Sequence, residues 1–176
     1  MINRTEMKNN SRKVKITNLL LVLLCISGIM ANKVHSQDMP VPVNLQAVLF
    51  KKILLYDETL GTTNNLIVLS DSENGDKVVE AFNAAGIPAK SATNNNIPID
   101  ARVIYVMPGT PSPAKICEDN KILSISGNPK YAENGQVSIA LGIENGKPKI
   151  IVNLAKLKKE GHVLSPDLLY LSKLIK

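Results

Sequence analysis

The stretch from Val137 to Leu154 constrains the fold of this chain more than any other. Val137, Ile139, Leu141 and Ile143 alternate with Ser138, Ala140, Gly142 and Glu144, and a period of two marks a strand with one apolar and one small or polar face. Asn145-Gly146 follows at once. A type I′ turn needs positive φ at both central residues, which makes this pair a strong hairpin signal. The chain returns through Lys149 to Leu154, with Ile150, Val152 and Leu154 on one face and Ile151 on the other. Pro148 donates nothing to a ladder, so it belongs at the turn end or at an edge.

The 176 residues suit one domain with a tail, and with aromatics at only 3% and no Trp the core must be aliphatic. A formal net charge of +6 suggests nucleic acid until its distribution is read. Before Gln37, six basic residues face Glu6 alone; from Gln37 onward, 15 basic residues face 14 acidic ones. No basic stripe interleaved with aromatics remains to follow a phosphate backbone, and nucleic-acid binding is rejected.

The first 36 residues account for the charge. A basic, polar segment from Met1 to Lys15 precedes the apolar run Leu19 to Ile26, and small residues return at Gly28, Ala31 and Ser36. This is the pattern of a secretory signal peptide, cleaved before Gln37 or, as second choice, after Ala31. Ile16 to Met30 is short for a membrane anchor, which needs about 20 apolar residues. Cys25 follows the bulky Leu24 and precedes more apolar residues, which argues against a lipoprotein site. The chain therefore divides into a leader (1–36) and one domain (37–176), exported to the periplasm. Cys117 is then the only thiol, so no internal disulfide is expected. About 140 residues can bury roughly two-thirds of their unfolded surface, enough for an unaided core.

In order, Val43 to Tyr56 reads as an amphipathic helix with Leu45, Leu49, Ile53 and Tyr56 in one stripe beside Val43, Phe50 and Leu54. Leu66 to Ser70 suits a buried parallel strand. A helix over Lys77 to Ala85 ends at Gly86, and Ile87 to Ala89 is a second strand. Arg102 to Met107 and Ile122 to Ser126 are further strands, with a short helix from Pro113 to Asn120 between them. Asn128 to Gln136 is polar. After the hairpin come a basic helical segment, Leu154 to Lys159, and a last helix from Ser165 carrying Leu168, Leu169, Leu171, Leu174 and Ile175. The alternation predicts a three-layer α/β sandwich, its sheet mostly parallel with a C-terminal antiparallel hairpin.

Several residues invite chemistry. Cys117 and His162 could be paired as a thiol hydrolase, but neither sits in a recognisable signature, and a surface His with a small buried Cys is the better account. One His, one Cys and no HxxxH or CxxC pattern argue against zinc. Asp71-Ser72-Glu73-Asn74-Gly75-Asp76 lacks the glycine at position 6 and the glutamate at position 12 of a calcium loop, and helix capping explains it. No glycine-rich nucleotide motif exists, so no cofactor is expected. If the strands are parallel, Ser70, Asp71, Gly109, Thr110, Ser126 and Gly127 fall at their carboxyl ends, where open α/β sheets bind ligands. They form a candidate small-ligand cleft, with ordinary strand-end turns as the competing account. The first and last helices are candidate dimer or partner surfaces, although packing on the sheet explains the same apolar stripes.

The block Ile122 to Gly127, the run Ala132 to Gln136, the hairpin, Lys149 to Leu154 and Leu164 to Ile175 together resemble the C-terminal half of the YfiR/HmsC-like family. Val43 to Asp57 resembles its first helix. The resemblance implies a periplasmic, non-enzymatic protein with a Rossmann-like fold, often dimeric. It also implies a membrane-bound signalling partner, a diguanylate cyclase in the known members, held down to restrain biofilm formation. Redox control is not implied, because the members that show it use paired cysteines. The alternative reading is a periplasmic small-ligand-binding module without a membrane partner.

Overall fold

The computed structural model describes residues 39–61, 65–70 and 74–176. The leader and its cleavage sites lie outside the described residues, as does Asp71. Helix α1 (Val43–Leu54) precedes β1 (Leu66–Leu69), α2 (Asn74–Ala84), β2 (Ala89–Ala92), β3 (Val103–Val106), α3 (Ala114–Asn120) and β4 (Leu123–Ser126). Then come α4 (Pro129–Glu133), the hairpin β5 (Ile139–Glu144) and β6 (Lys147–Asn153), α5 (Leu154–Lys159), α6 (Pro166–Leu171) and β7 (Lys173–Ile175). One seven-stranded sheet runs β2-β1-β3-β4-β5-β6-β7. Every neighbouring pair is parallel except β5–β6.

The parallel strands are buried on both faces because helices cover both. Leu66, Val68, Val103 and Tyr105 point into one core with Phe50, Phe82 and Leu168, while Ile67, Leu69, Ile104 and Val106 point into a second with Cys117 and Ala132. This is the three-layer sandwich expected from the alternation of elements. The hairpin turn also forms as expected: Asn145 and Gly146 have φ of 52° and 73°, and Ile139 pairs with Val152.

Four local expectations need correction. The buried face of α1 is Gln46, Ala47, Phe50, Ile53 and Leu54; Leu45 and Tyr56 are exposed. The helix is turned so that Phe50 meets Tyr105 edge-on, ring centroids 6.1 Å apart, and Phe82 at 6.2 Å. The second strand begins at Ala89 rather than Ile87, whose side chain sits in the core before it. The polar run after β4 contains α4, with Asn128 accepting from Lys130 N and Pro129 at the first helical position. The last helix stops at Leu171, where Ser172 turns extended and the chain becomes an edge strand beside Ile151 to Asn153.

Candidate functional site

The carboxyl ends of β1, β3 and β4 lie side by side, because these strands are adjacent and parallel. They bring Ser70, Gly109, Thr110, Ser126 and Gly127 to one end of the sheet. Ser70, Thr110, Ser126 and Gly127 are buried and Gly109 is exposed. Thr110 Oγ1 donates to the Leu69 carbonyl at 3.4 Å and Ser126 Oγ to the Val106 carbonyl at 2.8 Å, each tying one strand end to the next. The Asn128 N–H donates back to Ser126 Oγ at 3.1 Å, and the Gly109 N–H to Tyr131 Oη at 2.9 Å.

A residue pair that the apolar stripes concealed closes this end. The Tyr105 hydroxyl donates to Gln46 Oε1 at 2.6 Å, and Gln46 Nε2 donates to the Val41 carbonyl at 2.7 Å. Gln46 is thus a fully used polar group inside an apolar helix face. Burial pushes the Tyr105 hydroxyl pKa well up, although the Gly127 N–H and Gln46 hydrogen bonds work against it. Gly127 passes against this pair, and a Cβ there would press on both the Gln46 amide and the Tyr105 hydroxyl. Gly127→Ala is expected to destabilise by about 1–3 kcal/mol through overpacking, read as a lower urea midpoint. An unchanged midpoint would mean that the end of β4 relaxes freely.

The amino ends of the strands hold the titratable groups. Glu160, fully buried, accepts from Ser124 N at 2.9 Å, Ser124 Oγ at 2.6 Å and Ser138 Oγ at 2.5 Å. Lys156, also buried, lies 3.5 Å from Glu160 and 2.9 Å from Glu118, whose carboxyl it holds below the usual range. Cys117 lies within this group's field. Burial pushes its thiol well up, and the Glu160 charge pushes it further.

His162 is buried, which corrects the expectation of a surface histidine. Its Nδ1 donates to Asp57 Oδ2 at 2.7 Å and lies 3.0 Å from Thr59 Oγ1; Nε2 lies 3.3 Å from the Lys121 carbonyl. Burial alone would raise Asp57. The hydrogen bonds from His162 and from the Thr59 hydroxyl and N–H, with the histidine's charge, hold its carboxyl below 3.8 instead. The pair sits where Asp57 and Leu164 form an isolated β-bridge, so it joins the chain after α1 to the loop before α6. The ring nitrogens thus face Asp57, Thr59 and Lys121 rather than the Cys117 thiol.

Two hollows are lined by other residues. One, of about 620 Å³, lies between α1 and α2 with Val43, Val48, Lys77 and Glu80 on its walls. The other, of about 250 Å³, borders Asn65, Asn83, Lys90 and Asp100. Among the described residues, no group of three or more His, Cys, Asp or Glu side chains is placed to hold a metal, and no helix is long and apolar enough to cross a membrane.

Solved structures with the same fold include a conserved domain protein of Vibrio cholerae O1 biovar El Tor, at 16% identity and a TM-score of 0.53. It is matched over 77% of this chain and 60% of its own length. A second is the ABC domain, in complex with L-Trp, from Streptococcus pneumonia, at 15% identity and a TM-score of 0.54 over 76% of this chain. The chain spans about 60% of the length of each of these structures. No curated protein matches in sequence. The YfiR/HmsC-like family model matches residues 57–173, from the turn after α1 to the start of β7. With two sheet faces covered and the hairpin in register inside that span, the chain belongs to the YfiR/HmsC-like family.

Proposed function

We propose that this protein is a non-enzymatic regulator, exported to the periplasm by a cleaved leader (1–36), that acts through contact between its 37–176 domain and a membrane-bound signalling protein. Family membership carries the reading. The chemistry of the buried groups supports it. Cys117 is shielded and its pKa is raised, the opposite of an activated nucleophile, and His162 is spent on holding two loops together. A diguanylate cyclase is the partner class that the family resemblance suggests.

The open edge formed by β7 and the end of α6 is the contact surface. Tyr170 is 91% exposed, Leu171 lies beside it, and Leu174 follows on the edge strand. Exposed aromatic and leucine side chains are typical binding anchors, and an unpaired edge offers backbone donors and acceptors. Crosslinking in intact cells followed by mass spectrometry should recover an inner-membrane signalling protein; recovering none counts against the reading. Tyr170→Ala with Leu171→Glu is expected to cut that crosslink by about tenfold or more, since one lost anchor is worth roughly 2 kcal/mol. The melting temperature should change little, both side chains being exposed.

Regulation would be coupling. A small ligand held by Ser70, Asp71, Gly109, Thr110, Ser126 and Gly127 would favour one conformation and so shift affinity for the partner. The five described residues of this set stand at adjacent carboxyl ends of the sheet, which supports the assignment.

A further inference from the structure

The seven-stranded sheet ends at β2 on one side and at β7 on the other. An end strand offers its outer row of N–H and carbonyl groups to any further strand. Which residues of β2 face outward follows from its one neighbour, β1. The Pro88 carbonyl accepts from Leu66 N and the Ala92 carbonyl from Ser70 N, each at 3.2 Å, so Pro88, Lys90 and Ala92 turn toward β1. Successive residues of a strand bond to opposite sides, and Ala89 and Ser91 therefore turn their backbone groups to the free side.

Ala89 is already engaged there. Its N–H donates to Asn83 Oδ1 at 2.9 Å, and its carbonyl accepts from Asn83 Nδ2 at 3.2 Å. One carboxamide thus takes both edge groups of one residue, as the facing residue of an added antiparallel strand would. Asn83 lies in the last turn of α2, and Gly86, at φ 80°, reverses the chain so that β2 starts beside it. Beyond Ala89 the edge is short: Ser91 presents the next outward pair, and the strand ends at Ala92. Lys90 stands between them, exposed. A two-fold pairing of β2 with β2 of a second copy about Lys90 would set the two ammonium side chains directly opposite, which is unfavourable. Asp100 borders the same hollow as Lys90, and its carboxylate is turned to Asn65 Nδ2 at 2.9 Å.

We propose that Asn83 shuts the β2 edge against a second copy of this chain and leaves β7 as the open edge of the sheet. A sheet open at both edges can join β2 of one copy to β7 of the next, a head-to-tail contact that does not close and grows into fibres. The Asn83 carboxamide removes the β2 half of that contact, and of a β2–β2 pairing as well. The same two hydrogen bonds also fasten the turn between α2 and β2. If that were their whole role, losing them would lower the melting temperature and leave the mass unchanged.

Residues 37–176 contain every described element and both cores, and three forms of them are compared by sedimentation velocity. These are the wild type, Asn83→Ala with Lys90→Thr, and that pair with Ser91→Pro added. Proline at 91 removes the outward N–H and spares the bonds to β1. The paired variant is expected to at least double the wild-type mass, and the proline to restore it. A paired variant that sediments as wild type would overturn the proposal. So would association that the proline leaves untouched, or a wild type whose mass falls with Ser91→Pro alone. Amide exchange in the wild type needs no substitution. Relative to free-peptide rates, Ala89 should exchange at least about fivefold more slowly than Ser91, the protection of one neutral hydrogen bond. Equal protection of the two amides would equally overturn it. None of these results bears on the crosslink at Tyr170, so the two proposals fail separately.

Discussion

Replacing Glu160 with alanine is expected to destabilise the domain by about 3–5 kcal/mol, the largest effect of any single change outside the apolar core. The carboxylate is fully buried, and its oxygens take three hydrogen bonds from Ser124 and Ser138, at the starts of β4 and β5. Removing it leaves the Ser124 N–H and two buried hydroxyls without their acceptor and strips the buried Lys156 of one of its two counter-charges. Attraction in a buried ion pair is largely offset by desolvation, so the pair itself adds little. Orphaning the remaining partners is what costs so much. Glu160→Gln keeps an acceptor but loses the charge, and its loss should fall between wild type and alanine. Urea unfolding of residues 37–176 measures both. Labelling of Cys117, the only thiol in that span, supplies a local readout, and it should accelerate in Glu160→Ala as the adjoining core opens. A loss under about 1 kcal/mol, the scale of one neutral hydrogen bond, would show that water replaces the carboxylate without penalty.

The fold was far more legible in the sequence than this network, for a physical reason. Short apolar runs such as Leu66 to Leu69 and Val103 to Val106 encode burial locally, and Asn145-Gly146 encodes a turn in two residues. Glu160 sits in a lysine-rich segment that reads as a solvated face, and its partners lie 22 and 36 positions away. The available hint was indirect. Ser124 alternates with the apolar residues of β4 and Ser138 directly precedes β5, and hydroxyls fully buried there require a partner. Gln46 was hidden in the same way: a single polar residue on a helix marks no face until the Tyr105 hydroxyl is seen beneath it. The edge strand β7 was missed because three residues carry too little periodicity to separate a strand from a helix end. The strand-end residues could be placed at one end of the sheet from the alternation alone, since parallel order fixes which turns fall together.

Asp57→Asn is expected to destabilise by about 2–4 kcal/mol near neutral pH and to flatten the acid limb of the stability profile. His162 lies 105 positions from Asp57, so the bond between them closes most of the domain into one loop. Asp57 also accepts from the Thr59 N–H at 2.8 Å and from its hydroxyl at 2.6 Å, which shapes the turn leaving α1. These contacts favour the ionised carboxyl and outweigh the burial that opposes it, so its pKa in the folded state lies below 3.8. A depressed folded pKa stabilises the native state fully above the unfolded value. That contribution drains away as pH falls through the folded value, because the unfolded chain then binds the proton more readily. Wild type should therefore lose stability between about pH 5 and about pH 2 more steeply than Asp57→Asn, which lacks the titrating group. His162→Ala should bring the Asp57 pKa back up and move the onset of acid unfolding to higher pH. Midpoints measured across that range decide the matter: parallel profiles for wild type and Asp57→Asn would mean that the carboxyl titrates alike in folded and unfolded chains.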